Sequence, residues 1–156
     1  MELTTDDLMR GDYVIVRIDN KKNPDDPESV EERIAMIVGI GEYNCVDIVI
    51  REDDGSWSRP TDIRVNCLAP IPIEKAFLVL NGFSEDDMYA RMNTDISHIH
   101  LEYYYFEKRL RRIYTGTDEW DNHSKVYDVI FQCHCTYVHE FQHGMKLAGE
   151  RQKIKI

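Results

Sequence analysis

Four short apolar runs, spaced by turn-forming residues and then cut off by two prolines, constrain the first half of this chain to a small bent sheet. Gly11–Ile18 alternates, with Tyr13, Ile15 and Arg17 on one face and Val14, Val16 and Ile18 on the other. Arg33–Ile40 and Cys45–Ile50 are two further β-rich runs, and Thr61–Leu68 supplies a fourth after the turn signal Asp53-Asp54-Gly55-Ser56. The intervening Asp19–Glu32 segment, rich in Asn, Lys, Asp, Pro and Glu, reads as a polar loop. Short strands with tight connections predict an SH3-like bent sheet or barrel over residues 1–70. Pro70 and Pro72 then end the ladder, because proline cannot donate to it.

Residues 71–156 change character. A helix is expected near residues 73–81, with Phe77 and Leu80 on one side. Asn81-Gly82 forms its stop and Phe83 folds back onto it. Tyr89–Met92 reads as a short strand. Ser97–Phe106 reads as a strong one, alternating Ile99, Leu101, Tyr103 and Tyr105 against His98, His100, Glu102 and Tyr104. Lys108–Tyr114 extends that strand or pairs with it. Lys125–Cys135 forms another, with Tyr127, Val129, Phe131, Cys133 and Cys135 as its apolar face. A helix over residues 137–148 stops at Gly149. The expected fold class is therefore α+β: an N-terminal SH3-like subdomain over 1–70, then an antiparallel sheet with two flanking helices over 71–156.

Composition narrows the function classes. With 42% apolar residues in a 156-residue chain, a real core can form. The formal net charge of −10 disfavours nucleic acid as a partner, since phosphate neutralisation needs clustered bases. The one cationic run, Lys108–Arg112, reads as a solvated strand edge. Weak nucleic-acid binding through a barrel surface and that run stays as one alternative. No apolar run reaches the roughly 20 residues needed to span a bilayer, so no membrane role is expected. The opening Met1–Asp7 is acidic where a targeting segment would be basic. Four cysteines (Cys45, Cys67, Cys133, Cys135) are too sparse for a disulfide framework. A cytoplasmic protein with reduced thiols is expected.

The sharpest motif is His139-Glu140-Phe141-Gln142-His143, which matches the H-E-x-x-H zinc pattern letter for letter. Two histidines one helical turn apart can share a metal, and a glutamate between them can activate water. A third ligand is the difficulty. The H-E-x-x-H-x-x-G-x-x-H arrangement would need glycine and histidine where this chain has Lys146 and Gly149. At about 100° per residue, Val138, Phe141, Met145 and Ala148 gather on one side of the helix. His139, Gln142, His143 and Lys146 gather on the other, which is expected to face water. No catalytic residue, metal or cofactor is therefore assigned. A zinc-dependent hydrolase with His139 and His143 as ligands and Glu140 as base is kept as the enzyme alternative.

Two smaller constellations read the same way. His98, His100 and Glu102 share a strand face expected to be solvated, although three ligands there could also hold a metal. Cys133-His134-Cys135 lacks the C-x-x-C spacing, and both thiols fall on the apolar face as buried structural cysteines. No Gly-rich phosphate loop or nucleophile elbow is present in the sequence. Along Tyr103–Phe106, alternation turns Tyr104 and Phe106 away from the core, which makes them the candidate partner-binding residues.

Three blocks carry a resemblance. Leu8–Val14 is similar to L-R-I-G-N-x-V, Ile71–Phe83 to I-P-L-T-x-x-x-L-x-x-x-G-F, and Tyr137–Glu150 to Y-V-H-Q-L-Q-N-L-Y-x-x-L-T-G-E-E-L. In that order they resemble an uncharacterised family of small proteins from gut Bacteroidales bacteria and their phages or mobile elements. Tyr137, Val138, His139, Gln142 and Gly149 match its last block. Glu140 stands where that pattern has Gln and His143 where it has Asn, so the residues completing H-E-x-x-H depart from it. Other departures are the long Asp19–Glu32 loop, the missing Thr after Ile73, and Gly144 in place of Leu. The resemblance implies a phage or mobile-element setting and no reaction. The expected role is a non-enzymatic binding or accessory module for a protein partner or for self-association.

Overall fold

In the computed structural model, which describes residues 3–19, 30–117, 124–150 and 153–156, the chain divides into two compact units, Met1–Ile71 and Pro72–Ile156. Together they are α+β, largely strand with two helices.

The first unit is one five-stranded antiparallel sheet: β1 (Tyr13–Asp19), β2 (Val30–Ile40), β3 (Cys45–Ile50), β4 (Thr61–Arg64) and β5 (Leu68–Ala69). Its strand order is β4-β3-β2-β1-β5. β1 to β4 form a meander. The expected fourth run to Leu68 is broken by a 3-10 turn at Val65–Cys67, after which β5 crosses back to β1, pairing Leu68 with Val16 and Ala69 with Ile15. That corner curls the sheet, as an SH3-like barrel requires. The alternation read from sequence holds on β1: Val14 and Val16 are fully buried and pack with Ala35, Ile37, Val46 and Ile48. Fully burying each such aliphatic chain contributes about 1.5–3 kcal/mol. The polar Asp19–Glu32 segment lies mostly outside the described residues, and β2 starts at Val30, earlier than expected.

The second unit opens with α1 (Lys75–Leu80). Leu78 is its fully buried residue, whereas Leu80, expected to pack beside Phe77, is 49% exposed. Phe77 and Leu80 lie only about 60° apart on the wheel, yet this six-residue helix turns its Leu78 side inward and leaves Leu80 at the rim. Gly82 takes φ +86, and the Phe83 N–H reaches back to the Leu78 carbonyl at 3.0 Å, the expected helix stop. Asn81 ties the C-terminal tail to this corner. Its side chain donates to the carbonyls of Phe77 and Lys155 and accepts the Lys155 N–H at 2.8 Å.

β6 (Ser84–Glu85), β7 (Tyr89–Asn93), β8 (Ile99–Tyr104), β9 (Arg109–Thr117) and β10 (Ser124–His134) then form an antiparallel sheet in the order β10-β9-β8-β7-β6. α2 (Val138–Leu147) packs on it. Phe141 is fully buried and meets the rings of Phe77, Phe83 and Tyr103 edge-on at 5.5, 5.8 and 6.1 Å between centroids. The Tyr103 hydroxyl donates to the Cys135 carbonyl at 2.7 Å, so the ring buries without losing its polar partner.

The expected apolar face of β10 does not survive as one face. Register shifts between Val126 and Asp128 and between Val129 and Phe131 rotate the strand. Val129 and Ile130 are consequently exposed, whereas Cys135 is fully buried. The Tyr127 side chain lies outside the described residues. Among the described residues, no helix is long and apolar enough to cross a membrane.

Candidate functional site

The H-E-x-x-H segment forms the first two turns of α2, but its orientation differs from the helical-wheel expectation. His139 is 1% exposed and Gln142 is buried, whereas His143 is half-buried. The His139 ring stacks on Tyr137 at 6.0 Å and meets His143 edge-on at 6.1 Å. The wheel misplaces them because Tyr137, just before the helix, covers the side expected to be wet. Glu140 is engaged in backbone hydrogen bonding. Its Oε2 accepts the N–H groups of Thr136 at 2.6 Å and Tyr137 at 3.1 Å. These are donors that a helix start leaves open, and the second is half of a capping box. Among the described residues, no group of three or more His, Cys, Asp or Glu side chains could hold a metal.

On β8 the face expected to be solvated is a buried polar network. His100 and Glu102 are 5% and 2% exposed. Glu102 accepts hydrogen bonds from the Arg91 guanidinium of β7, whose Nε lies at 3.0 Å, and from the Tyr104 hydroxyl at 2.7 Å. It also lies 3.2 Å from His100 Nε2. Burial alone would raise the Glu102 pKa, but the Tyr104 hydroxyl and the Arg91 guanidinium outweigh it and hold the carboxylate below its usual range. Burial, reinforced by Arg91, pushes His100 below its ordinary value, with Glu102 opposing. The cluster is thus a neutral imidazole beside a paired carboxylate. Burying a carboxylate demands such partners, and Arg91 sits opposite Glu102 in the strand register to supply one. His98 stands apart, exposed and at φ +66.

The basic run also serves the fold. Arg111 pairs with Glu107 at 2.6 Å and lies 4.3 Å over the Tyr104 ring. Arg112 donates to the Ala148 carbonyl at the end of α2 and stands 3.9 Å from Glu150, a cation placed where the helix macrodipole is negative. Arg109 is exposed and 3.9 Å from Glu107.

The two candidate partner-binding residues separate. Phe106 is 99% exposed on the turn between β8 and β9, whereas Tyr104 is half-buried and held by Glu102, Arg111 and the Tyr89 ring at 5.6 Å. Sequence reasoning missed Met88, which is 71% exposed and brought beside the turn where the Tyr105 N–H reaches its carbonyl at 3.3 Å. Asp87, Met88, Tyr104, Tyr105, Phe106 and Glu107 line an open groove of about 460 Å³. No periodicity announces Met88, because it precedes β7 in a run of acidic residues.

Sequence reasoning also passed over a second surface, in the first unit. Tyr43 and Asn44 sit at φ +57 and +58, and the Cys45 N–H bonds the Glu42 carbonyl at 3.1 Å, making a type I′ turn between β2 and β3. Tyr43 is 92% exposed at the rim of a cavity of about 690 Å³ lined by Thr4, Asn44, Arg64 and Asn66 among others. The two thiols read as structural are also unlike each other: Cys135 is fully buried, Cys133 only half so.

Comparison of the chain with family models, with curated proteins and with solved structures finds no match.

Proposed function

We propose that this chain is a non-enzymatic binding or accessory module, working in the cytoplasm in a phage or mobile-element setting, that docks a protein partner through Phe106 and Met88. The observation that carries this reading is the pairing of two exposed apolar side chains, one on the β8–β9 turn and one just before β7, at the same groove. Phe106 and Met88 are 99% and 71% exposed beside a groove, while the rest of the aromatic run is packed. Aromatic residues and methionine are enriched at binding surfaces and are anchors when a partner desolvates them. Asp86 and Asp87 are exposed beside the groove, so a partner offering apolar side chains flanked by Lys or Arg complements it. Tyr104 supports the groove wall and keeps its hydroxyl on Glu102.

The test compares wild type with Phe106→Ser and Met88→Ser by sedimentation and by capture of partners from extracts of the native host. Both variants are expected to stay folded, since the replaced side chains make little contact with the core. They are expected to lose the association, by about tenfold or more for an anchor worth roughly 2 kcal/mol. Association unchanged in both variants would overturn the reading.

A further inference from the structure

Cys133 and Cys135 lie at the junction of β10 and α2, with their Sγ atoms 3.3 Å apart. Both are free thiols. Residues two apart along a strand are separated by about 6.6 Å, inside the range of about 4.4–6.8 Å between Cα atoms that a disulfide spans. The end of β10 thus presents two sulfurs on one side, in contact and not bonded.

Their surroundings are specialised. The backbone on either side of the inner thiol is fixed: the Cys135 N–H donates to the Lys108 carbonyl and the Cys135 carbonyl accepts the Tyr103 hydroxyl, each at 2.7 Å. Gly144 of α2 faces both sulfurs. A Cβ there would stand 2.6 Å from Cys133 Sγ and 3.3 Å from Cys135 Sγ, so only glycine leaves the thiols their space. Exposure is graded, with the outer Cys133 half-buried and the inner Cys135 inaccessible. An attacking thiol must meet its reagent, whereas a resolving thiol need only meet its neighbour.

We propose that Cys133 and Cys135 form a two-thiol exchange site that gives up two electrons to a low-molecular-weight disulfide and closes into an intramolecular disulfide. The Cys133 thiolate attacks one sulfur of the reagent R–S–S–R. The reagent's S–S bond breaks, one R–S⁻ leaves and takes up the Cys133 proton as R–SH, and a Cys133–S–S–R mixed disulfide remains. The Cys135 sulfur then attacks Cys133 Sγ. The Cys133–S–R bond breaks, and the second R–S⁻ leaves and takes up the Cys135 proton. Two thiols are oxidised by two electrons, and one disulfide is reduced to two thiols. The hydrogen bond from Cys135 favours the Cys133 thiolate and lowers its pKa, while burial opposes it. The same contact and burial push Cys135 up, so it stays the protonated donor until Cys133 is capped and gives up its proton only as it attacks.

The test uses the full-length protein carrying Cys45→Ser and Cys67→Ser, incubated with oxidised glutathione, acid-quenched and weighed intact. The expected product is lighter by two hydrogens, carries no glutathione and returns to the starting mass with dithiothreitol. Adding Cys135→Ser should instead leave one glutathione on Cys133. Peptide mapping of oxidised wild type should find the link within a single peptide holding both cysteines, which keeps the question open to refutation should the variants misfold. A glutathione adduct that persists with Cys135 present, two thiols that stay alkylatable, or a wild-type link to Cys45 or Cys67 would each overturn the proposal.

Discussion

Glu140 accepts the backbone N–H of Thr136 at 2.6 Å, closing the first turn of α2 onto the strand it follows. In an H-E-x-x-H sequence that carboxylate would be the water-activating base; here it caps the helix. Removing the acceptor in Glu140→Ala is expected to cost about 1 kcal/mol, and Glu140→Gln, which keeps an acceptor, less than half of that. Urea denaturation measures both. An unchanged midpoint in Glu140→Ala would contradict the capping role.

The buried network on β8 makes stability depend on pH in one direction. His100 is held below its ordinary value of 6.5, so the unfolded chain binds its proton first and stability falls as pH drops through about 6.5. Glu102 is held below 4.5, so its contribution is full above that value and is lost as pH falls through its lower folded value. Thermal unfolding followed from pH 8 to pH 2 should show Tm declining in both windows. His100→Gln should flatten the upper window and leave the lower one. A wild-type Tm that rises between pH 7 and pH 5.5 would contradict this assignment.

Gly144→Ala sets helix propensity against packing. Alanine is favoured over glycine inside a helix by about 1 kcal/mol, yet the new methyl meets Cys133 Sγ at 2.6 Å and Leu110 Cδ2 at 3.2 Å. Overpacking of this kind costs about 1–3 kcal/mol. A net loss near 1 kcal/mol is expected, with much of it recovered when Cys133→Ala is added. Stabilisation by Gly144→Ala alone would show that α2 stands farther from β10.

Tyr43 holds a left-handed backbone that a bulky residue adopts at a cost of about 1 kcal/mol. Tyr43→Asn, suited to that conformation and almost fully solvated, should therefore stabilise the first unit by roughly 0.5–1 kcal/mol in denaturant titration. A destabilised variant would mean that the tyrosine ring makes a contact worth more than the strain.

The strands of the first unit were legible in the sequence because one face packs and the other is wet; Val14 and Val16 alternate with Tyr13 and Arg17, and burial follows. Alternation failed on β8. His100 and Glu102 are polar and buried, satisfied by Arg91 from a neighbouring strand that no local window contains. On β10 two register shifts defeat a two-residue period. On α2 the wheel placed Phe141 and Met145 inward correctly but could not anticipate Tyr137 covering His139. Of the two candidate partner-binding residues, exposure of Phe106 was read from alternation along a strand expected to run through it, whereas β8 ends at Tyr104 and a turn exposes the ring. The grip on Tyr104 was not, because its partners Glu102 and Arg111 meet only once the register is set.

The docking role of the Phe106 turn is tested most directly by replacing Phe106 with a photo-crosslinking phenylalanine analogue in the native host, with the same analogue at the 92% exposed Tyr43 as the control. Irradiation should give a discrete polypeptide adduct, or a covalent dimer, from position 106 that fades when Met88→Ser is added. Adducts from position 43 alone, or none from position 106, would contradict the account.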